Sequence, residues 1–216
     1  MNKRDCYVIG IDEVGRGALA GPVVVAAAAV PKEARRMVRG AEGRLGKLKD
    51  SKKLSPRKRM AWFGYFKEHQ DIVFMTARVY PRGIEKMNIS RAANKAALNA
   101  YARLIVKNEP KIGRHGIFLD GGLYLGNKKI GLSHGDFKEG TKNAKTIIKG
   151  DEKIIAIKIA SIAAKVLRDS YMRRLAKRYP KYGFDIHKGY GTRAHFRAIR
   201  KYGPSPVHRK SFLGSR

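Results

Sequence analysis

Three short apolar segments of this chain each run out into an aspartate with glycine close by. Tyr7-Val8-Ile9-Gly10-Ile11 leads into Asp12-Glu13 and Gly15-Arg16-Gly17. Gly116-Ile117-Phe118-Leu119 leads into Asp120-Gly121-Gly122, and Lys145-Thr146-Ile147-Ile148-Lys149 leads into Gly150-Asp151. Runs this short, continuous and apolar, with glycine at their borders, have the pattern of buried strands. If the three strands are neighbours in one sheet, their ends bring Asp12, Asp120 and Asp151 together with Glu13. One geometric condition attaches to this. Adjacent residues of a regular strand point to opposite faces, so Asp12 and Glu13 converge only if the strand twists or ends between them, a break that Gly15 favours.

The remaining segments fit around such a sheet. Residues 23–30, with Val23-Val24-Val25, four alanines and Val30, predict a buried strand, and 71–80 predict another. Between them 31–54, basic and rich in Gly and Lys, has the character of a mobile loop. Ser55-Pro56 places an N-cap and a first-turn proline at the start of a helix running to about His69. Ala93, Ala96, Ala97, Ala100, Leu104 and Ile105 have helical spacing over 89–107, and Pro110 closes that segment. Residues 123–144 have no regular pattern. A long helix is expected from Glu152 to Tyr179, with Ile155, Ile159, Ile162, Ala163 and Val166 on one stripe. A Gly-rich loop over 182–192, a short helix over 193–202 and an exposed basic tail complete the chain. The fold class is therefore α/β, a mixed sheet flanked by helices with a small helical C-terminal extension. Residues 1–180 form the main body, and 181–216 are an extension of the same domain.

Charge narrows the function. The chain carries 48 Lys and Arg against 17 Asp and Glu, a formal net charge of +31. A field of that sign and size attracts polyanions, nucleic acid foremost, although a solvated basic face or a uniformly basic proteome would have the same composition. Cys6 is the only cysteine, which excludes an internal disulfide and a cysteine zinc site. No apolar stretch approaches the ~20 residues of a membrane span, and the first five residues lack a signal-peptide core, so a cytoplasmic protein is expected, with monomer as the default.

Against that basic background the four acids need a reason. Hard cations such as Mg²⁺ and Mn²⁺ take oxygen ligands, and carboxylates that leave positions open for phosphate and water suit phosphoryl-transfer nucleases. Two such ions about 3.5–4 Å apart serve both the attacking and the leaving oxygen. Taken singly, each acid also fits a turn, a helix start or a solvated strand end. Two glycine motifs are rejected: Gly15, Gly17 and Gly21 miss the dinucleotide spacing and precede a strand, and Asn127 occupies the lysine position of a P-loop in Gly121–Lys128. The histidines show no metal-ligand spacing, and Ser161 reads as a packing residue with no base nearby.

In order along the chain, Gly10-Ile11-Asp12-Glu13-Val14-Gly15-Arg16-Gly17, Gly21-Pro22-Val23, Asp50-Ser51-Lys52-Lys53-Leu54-Ser55, Leu119-Asp120-Gly121, Lys149-Gly150-Asp151, Ala160-Ser161-Ile162, Ala164-Lys165-Val166, Arg168-Asp169, His187-Lys188-Gly189-Tyr190-Gly191-Thr192 and His208-Arg209-Lys210-Ser211-Phe212 together resemble ribonuclease HII, the type 2 ribonuclease H. The resemblance implies a ribonuclease H-like fold. It also implies endonucleolytic hydrolysis of RNA paired with DNA, including single ribonucleotides embedded in duplex DNA, leaving 3′-hydroxyl and 5′-phosphate ends. It makes Asp12, Glu13, Asp120 and Asp151 the ligands of Mg²⁺ or Mn²⁺, sets Gly15-Arg16-Gly17 at the ribose 2′-hydroxyl, and packs Tyr190 on the next sugar. Lys52, Lys53, Lys165, Arg209 and Lys210 are then phosphate contacts, and Asp136 and Asp169 compete with Asp151 as the fourth acid. A type 3 enzyme would have a further N-terminal domain. Two other readings stay open: a non-catalytic basic nucleic-acid-binding protein, and a junction-resolving or transposase-type nuclease, which would share the acids but not need the Gly-Arg-Gly loop or Tyr190.

Overall fold

The computed structural model of the chain describes residues 7–112, 115–125, 141 and 143–214. Among these, β1 (Tyr7–Val14), β2 (Val23–Pro31), β3 (Val73–Val79), β4 (His115–Asp120) and β5 (Lys145–Ile147) form one sheet in the order β3-β2-β1-β4-β5. The first three strands are an antiparallel meander, whereas β4 and β5 lie parallel to β1. Asp12, Asp120 and the residues after β5 therefore reach the same edge of adjacent strands.

The alanine run of β2 explains how tightly helices cover both faces. Val23, Val25, Ala27 and Ala29 pack with Ala92, Ala93, Ala96, Ala97 and Ala100 of α4 (Ile89–Ile112). The alternate residues Ala26, Ala28 and Val30 pack with Ala156, Ile159, Ala160 and Ala163 of α6 (Ile155–Arg178), as the period of two requires. The approach of α6 is closest at Gly10 of β1, where a Cβ would lie 2.1 Å from the backbone of Ala156 and Ile157. Only glycine fits there. Trp62 and Phe66 of α2 (Pro56–Glu68) join the α6 side of the core, and Ser55 caps α2 by accepting from the Lys58 N–H at 3.3 Å.

Three expectations are corrected, and one helix is added. Residues 31–54 hold a helix, α1 (Ala34–Leu45), whose Ala34, Val38 and Ala41 are buried while its arginines face outward. Basic composition concealed the spacing of those three residues. A short helix, α3 (Pro81–Met87), precedes α4. Helix α4 passes Pro110 because it breaks at Asn108 (φ −134°, ψ 15°) and resumes, so the proline falls in a first turn where its missing N–H is not needed. The helix expected from Glu152 is two, α5 (Gly150–Lys153) and α6, separated by extended Ile154.

Beyond α6, the short α7 (Phe184–His187) and α8 (Arg193–Tyr202) surround a small cluster of Ala20, Met172, Leu175, Tyr182 and Phe184. The tail after α8 is less exposed than expected: His208 and Arg209 are buried, and Ser211 donates to Glu85 through both its N–H and its hydroxyl. No helix among the described residues is long and apolar enough to cross a membrane.

Candidate active site

Register brings the acids together. Ile11 of β1 pairs with Leu119 of β4, so Asp12 and Asp120 follow side by side, and Asp120 pairs with Ile147 of β5. The chain then turns through Lys149 in the left-handed region (φ 55°) into α5, where the Gly150 N–H donates to Asp120 Oδ1 at 2.7 Å. Asp151 follows. One carboxylate oxygen from each of Asp12, Asp120 and Asp151 lies within 4.8 Å of the other two.

Two placements differ from expectation. β1 continues to Val14, so Asp12 is an interior strand residue, and the strand does not end between Asp12 and Glu13. Glu13 accordingly stands outside the close group. Its N–H donates to Asp12 Oδ1 at 2.7 Å, its Oε1 faces Arg16 at 3.4 Å, and its Oε2 is buried with no hydrogen-bond partner. Asp151, expected at a strand end, sits in the first turn of α5.

Burial and then the charge of Glu13 hold the Asp12 carboxyl well above the usual carboxylate range, with Asp120 adding to the shift and Ser161 opposing it. Burial raises Glu13 against the attraction of Arg16, and burial, Asp50 and Asp120 raise Asp151 against Lys52. Crowded, partly dehydrated carboxylates and an orphaned buried oxygen fit a hard divalent cation, which would relieve all three strains at once.

Two residues outside the expected ligand set support these acids. Ser161 of α6 lies 2.8 Å from the Ser51 hydroxyl and is near enough to Asp12 to favour its charged carboxylate, so it does more than pack. Asp50 is buried, raises Asp151 through its nearby charge, and accepts from the Lys52 N–H at 3.0 Å. The block Asp50-Ser51-Lys52-Lys53 was the available signal for both contacts.

The Gly15–Gly21 loop is built over two buried guanidinium groups. Gly15 has φ +88°, and a Cβ there would lie 2.1 Å from Arg168 Nε. Arg168 donates to the carbonyls of Pro22, Lys188 and Ala20. Arg209, expected to reach phosphate, instead donates to Gly15, Arg16 and Gly21 at 2.7–3.1 Å and is fully buried. Burial pulls its pKa down to about 9, which still leaves it charged at neutral pH. Among the described residues neither arginine forms a salt bridge with a carboxylate; backbone carbonyls accept from both instead. With those carbonyls drawn inward, Gly17 is left exposed with open space where a Cβ would be. Arg16 is held at the surface by Glu13, by the Gly122 carbonyl at 3.3 Å and by the Ser90 hydroxyl at 2.8 Å.

Tyr190 is half-buried next to this loop, its ring 5.3 Å from the Arg168 guanidinium and 6.0 Å from Lys165 Nζ. Lys165 pairs with Asp169 at 2.9 Å, and Arg59 stands 4.0 Å from the same carboxylate. Asp169 is thus an ion-paired residue and not a member of the carboxylate group, while Asp136 lies outside the described residues. Lys52, Lys53 and Lys210 are exposed, with Lys53 bridged to Glu152 at 2.6 Å.

The model of the family described as Ribonuclease HII matches residues 9–214. The chain belongs to the ribonuclease HII family. It is 41% identical to ribonuclease HII of Chlamydia pneumoniae over 95% of this chain and 82% of that one. It is 39% identical to ribonuclease HII of Caldicellulosiruptor bescii over 99% and 89%. Among solved structures, ribonuclease H2 from Pyrococcus horikoshii OT3 superposes with a TM-score of 0.69 at 26% identity, covering 95% of this chain and 93% of that one. The ribonuclease HII of a complex with PCNA from Archaeoglobus fulgidus gives 0.66 at 25%, covering 94% and 93%. Membership makes the chain an endoribonuclease of the ribonuclease H class, acting on RNA paired with DNA, with a ribonuclease H-like α/β fold. The ribonuclease HII match runs through the C-terminal segment that carries Tyr190 and Arg209, so loop, tail and carboxylates fall within one family pattern.

Proposed function

We propose that this ribonuclease HII cuts the RNA strand of RNA/DNA hybrids and nicks 5′ of single ribonucleotides in duplex DNA, leaving 3′-hydroxyl and 5′-phosphate ends. The observation that carries this reading is the close group of Asp12, Asp120 and Asp151 beside the Gly15–Gly17 loop. These three carboxylates, with the unpartnered Oε2 of Glu13 behind them, would hold Mg²⁺ or Mn²⁺. The chemistry a divalent cation supplies when bound is that of a Lewis acid, stabilising charge on phosphate oxygens and making water more acidic.

The chain's own residues do the rest. The Glu13 N–H fixes the direction of the Asp12 carboxylate, with Ser161 nearby favouring its charge, and the Gly150 N–H fixes that of Asp120. At Gly15-Arg16-Gly17 the backbone comes within reach of a ribose 2′-hydroxyl, the group that separates RNA from DNA. Tyr190 packs on the sugar that follows, and exposed Lys52 and Lys53, close enough to Asp151 to affect or feel its charge, take phosphate. Residues 1–180 serve as the catalytic part and 181–216 as the substrate-contacting extension of a cytoplasmic monomer.

The test is a DNA duplex with one ribonucleotide, incubated with Mg²⁺, with Mn²⁺ or with chelator, beside an all-DNA duplex. Metal-dependent nicking 5′ of the ribonucleotide, absent on all-DNA, is expected. Tight binding without cleavage under every metal condition would replace this reading with that of a non-catalytic nucleic-acid-binding protein.

A further inference from the structure

Three histidines that do not touch the carboxylates converge behind Tyr190. His187, His195 and His208 are buried, with the rings of His187 and His195 stacked at 4.2 Å and those of His195 and His208 tilted by 37° at 5.2 Å. Their hydrogen bonds admit one consistent proton arrangement. The Ser205 N–H donates to His208 Nδ1 at 2.9 Å, which leaves the proton of His208 on Nε2. That proton faces His195 Nε2 at 3.0 Å, so His195 Nε2 accepts and its own proton is on Nδ1, which donates to the Tyr190 carbonyl at 3.0 Å. In parallel, the Gly189 N–H donates to His187 Nδ1 at 3.2 Å, and His187 Nε2 donates to the Tyr182 carbonyl at 2.7 Å. Each imidazole uses one nitrogen as donor and one as acceptor. A second proton would face a donor N–H at His187 Nδ1 and at His195 Nε2, whereas at His208 Nδ1 the Ser205 hydroxyl at 2.8 Å and carbonyl at 3.3 Å also stand within reach.

The relay ends on the residue expected to meet substrate. The Tyr190 N–H donates to the His187 carbonyl at 3.0 Å, so both backbone groups of Tyr190 are held by this cluster. Gly189 ties the same turn to the substrate loop, its carbonyl accepting from Leu19 N–H at 2.8 Å and Ala20 N–H at 3.3 Å. We propose that His195, supported by His208, is a positioning residue for Tyr190: it holds the backbone at which the ring is presented to the sugar after the ribonucleotide, and thereby sets the preference for an RNA-to-DNA junction over continuous RNA. This rests on the role given to Tyr190 above.

The surroundings favour neutral rings. Burial lowers His187 and His208, and lowers His195 to about 4. The charged and titratable groups facing them are few: Asp185 and Lys188 act on His187 with opposite sign, the Tyr182 ring lies 4.9 Å from His208, and Tyr190 meets His195 through its carbonyl. Among the described residues no carboxylate hydrogen-bonds any of the three rings, and burial outweighs the carbonyl contacts and Asp185 that favour an imidazolium.

The experiment has two arms. Nitrogen-15 NMR of the imidazoles at pH 6 is expected to find His195 neutral with its proton on Nδ1, and His208 and His187 with theirs on Nε2; a proton on His195 Nε2, or a cationic His195, overturns the relay. Cleavage is then compared on a duplex with one ribonucleotide followed by DNA and on a uniform RNA/DNA hybrid, for wild type and His195→Phe. The variant is expected to lose about tenfold in kcat/KM on the junction substrate through KM, with less than a threefold change on the hybrid. Equal losses on both substrates would indicate mere loss of folded enzyme and overturn the proposal. Should His195→Phe fail to fold, His208→Asn keeps an acceptor for the Ser205 N–H while disconnecting His195, and carries the same expectation. If wild type cleaves neither substrate with metal, the functional reading itself falls and the proposal with it, even where the NMR arm holds.

Discussion

The hydroxyls of Ser51 and Ser161 lie 2.8 Å apart, and the second is near enough to Asp12 to favour its charged carboxylate. A serine from the turn before α2 and one from α6 thus meet behind a strand acid. Replacing Ser161 by Ala should reduce kcat or metal affinity roughly 10- to 100-fold, the usual effect of losing a partner that orients a ligand. Folding stability should fall by only about 1 kcal/mol. Titration of activity against Mn²⁺ concentration, alongside urea denaturation, reads both. Unchanged metal dependence and rate would remove Ser161 from the site.

Asp12→Asn tests the centre directly. We expect cleavage to drop by roughly a thousandfold or more, equivalent to about 4 kcal/mol of lost transition-state stabilisation. Affinity for the uncleaved duplex should change little, since phosphate contacts by a chain of net charge +31 dominate binding. Saturating Mn²⁺ should raise the melting temperature of the wild type more than that of the variant, because a ligand that binds only the folded state stabilises it. Wild-type turnover by Asp12→Asn would show the acids to be misassigned.

Arg209 and Lys210 are neighbours with opposite roles. Arg209→Met strips the donors from three carbonyls of the substrate loop and should cost about 3 kcal/mol or more, read from the denaturant midpoint. Lysine should not rescue it, because one ammonium cannot reproduce the planar fork. Lys210→Ala, at an exposed position, should stay within about 0.5 kcal/mol. Comparable losses for the two variants would contradict the burial of Arg209.

Acid should weaken the histidine cluster. Folded His195 takes a proton only near pH 4, whereas an unfolded histidine takes one near 6.5. Between those values the unfolded chain binds more protons, so this contribution to stability is complete above about pH 6.5 and falls as pH drops. Asp12, Glu13 and Asp151, raised in the folded state, act with the opposite sign, so the histidine effect is read as a difference. The stability advantage of wild type over His195→Phe should shrink from pH 7 to pH 4.5 in matched melting curves. A constant or growing advantage would mean that these rings are not neutral in the folded protein.

The fold was legible where burial leaves an unbroken apolar run, as in β1, β2 and β4, and where capping chemistry is local, as at Ser55-Pro56. It was least legible at α1, whose buried Ala34, Val38 and Ala41 are separated by arginines that dominate its composition. Asp120 was placed correctly at a strand end, but Asp151 was not, because three paired residues of β5 and a left-handed Lys149 carry no strong sequence signal. The roles of Asp50, Ser161 and Arg209 depend on contacts across 100 or more positions: Ser51 to Ser161 spans 110, and Gly15 to Arg209 spans 194. Periodicity cannot report such pairings.

That last span orders events during synthesis. β1, β2 and β4 can pair once the first 120 residues have left the ribosome, but the Gly15–Gly21 loop lacks its inner donors until Arg209 emerges. A nascent chain therefore completes the scaffold for its carboxylates well before it can fix the loop proposed to read the ribose 2′-hydroxyl. On the role proposed for that loop, discrimination is the last property the growing polypeptide acquires, and the one a truncated product would lack.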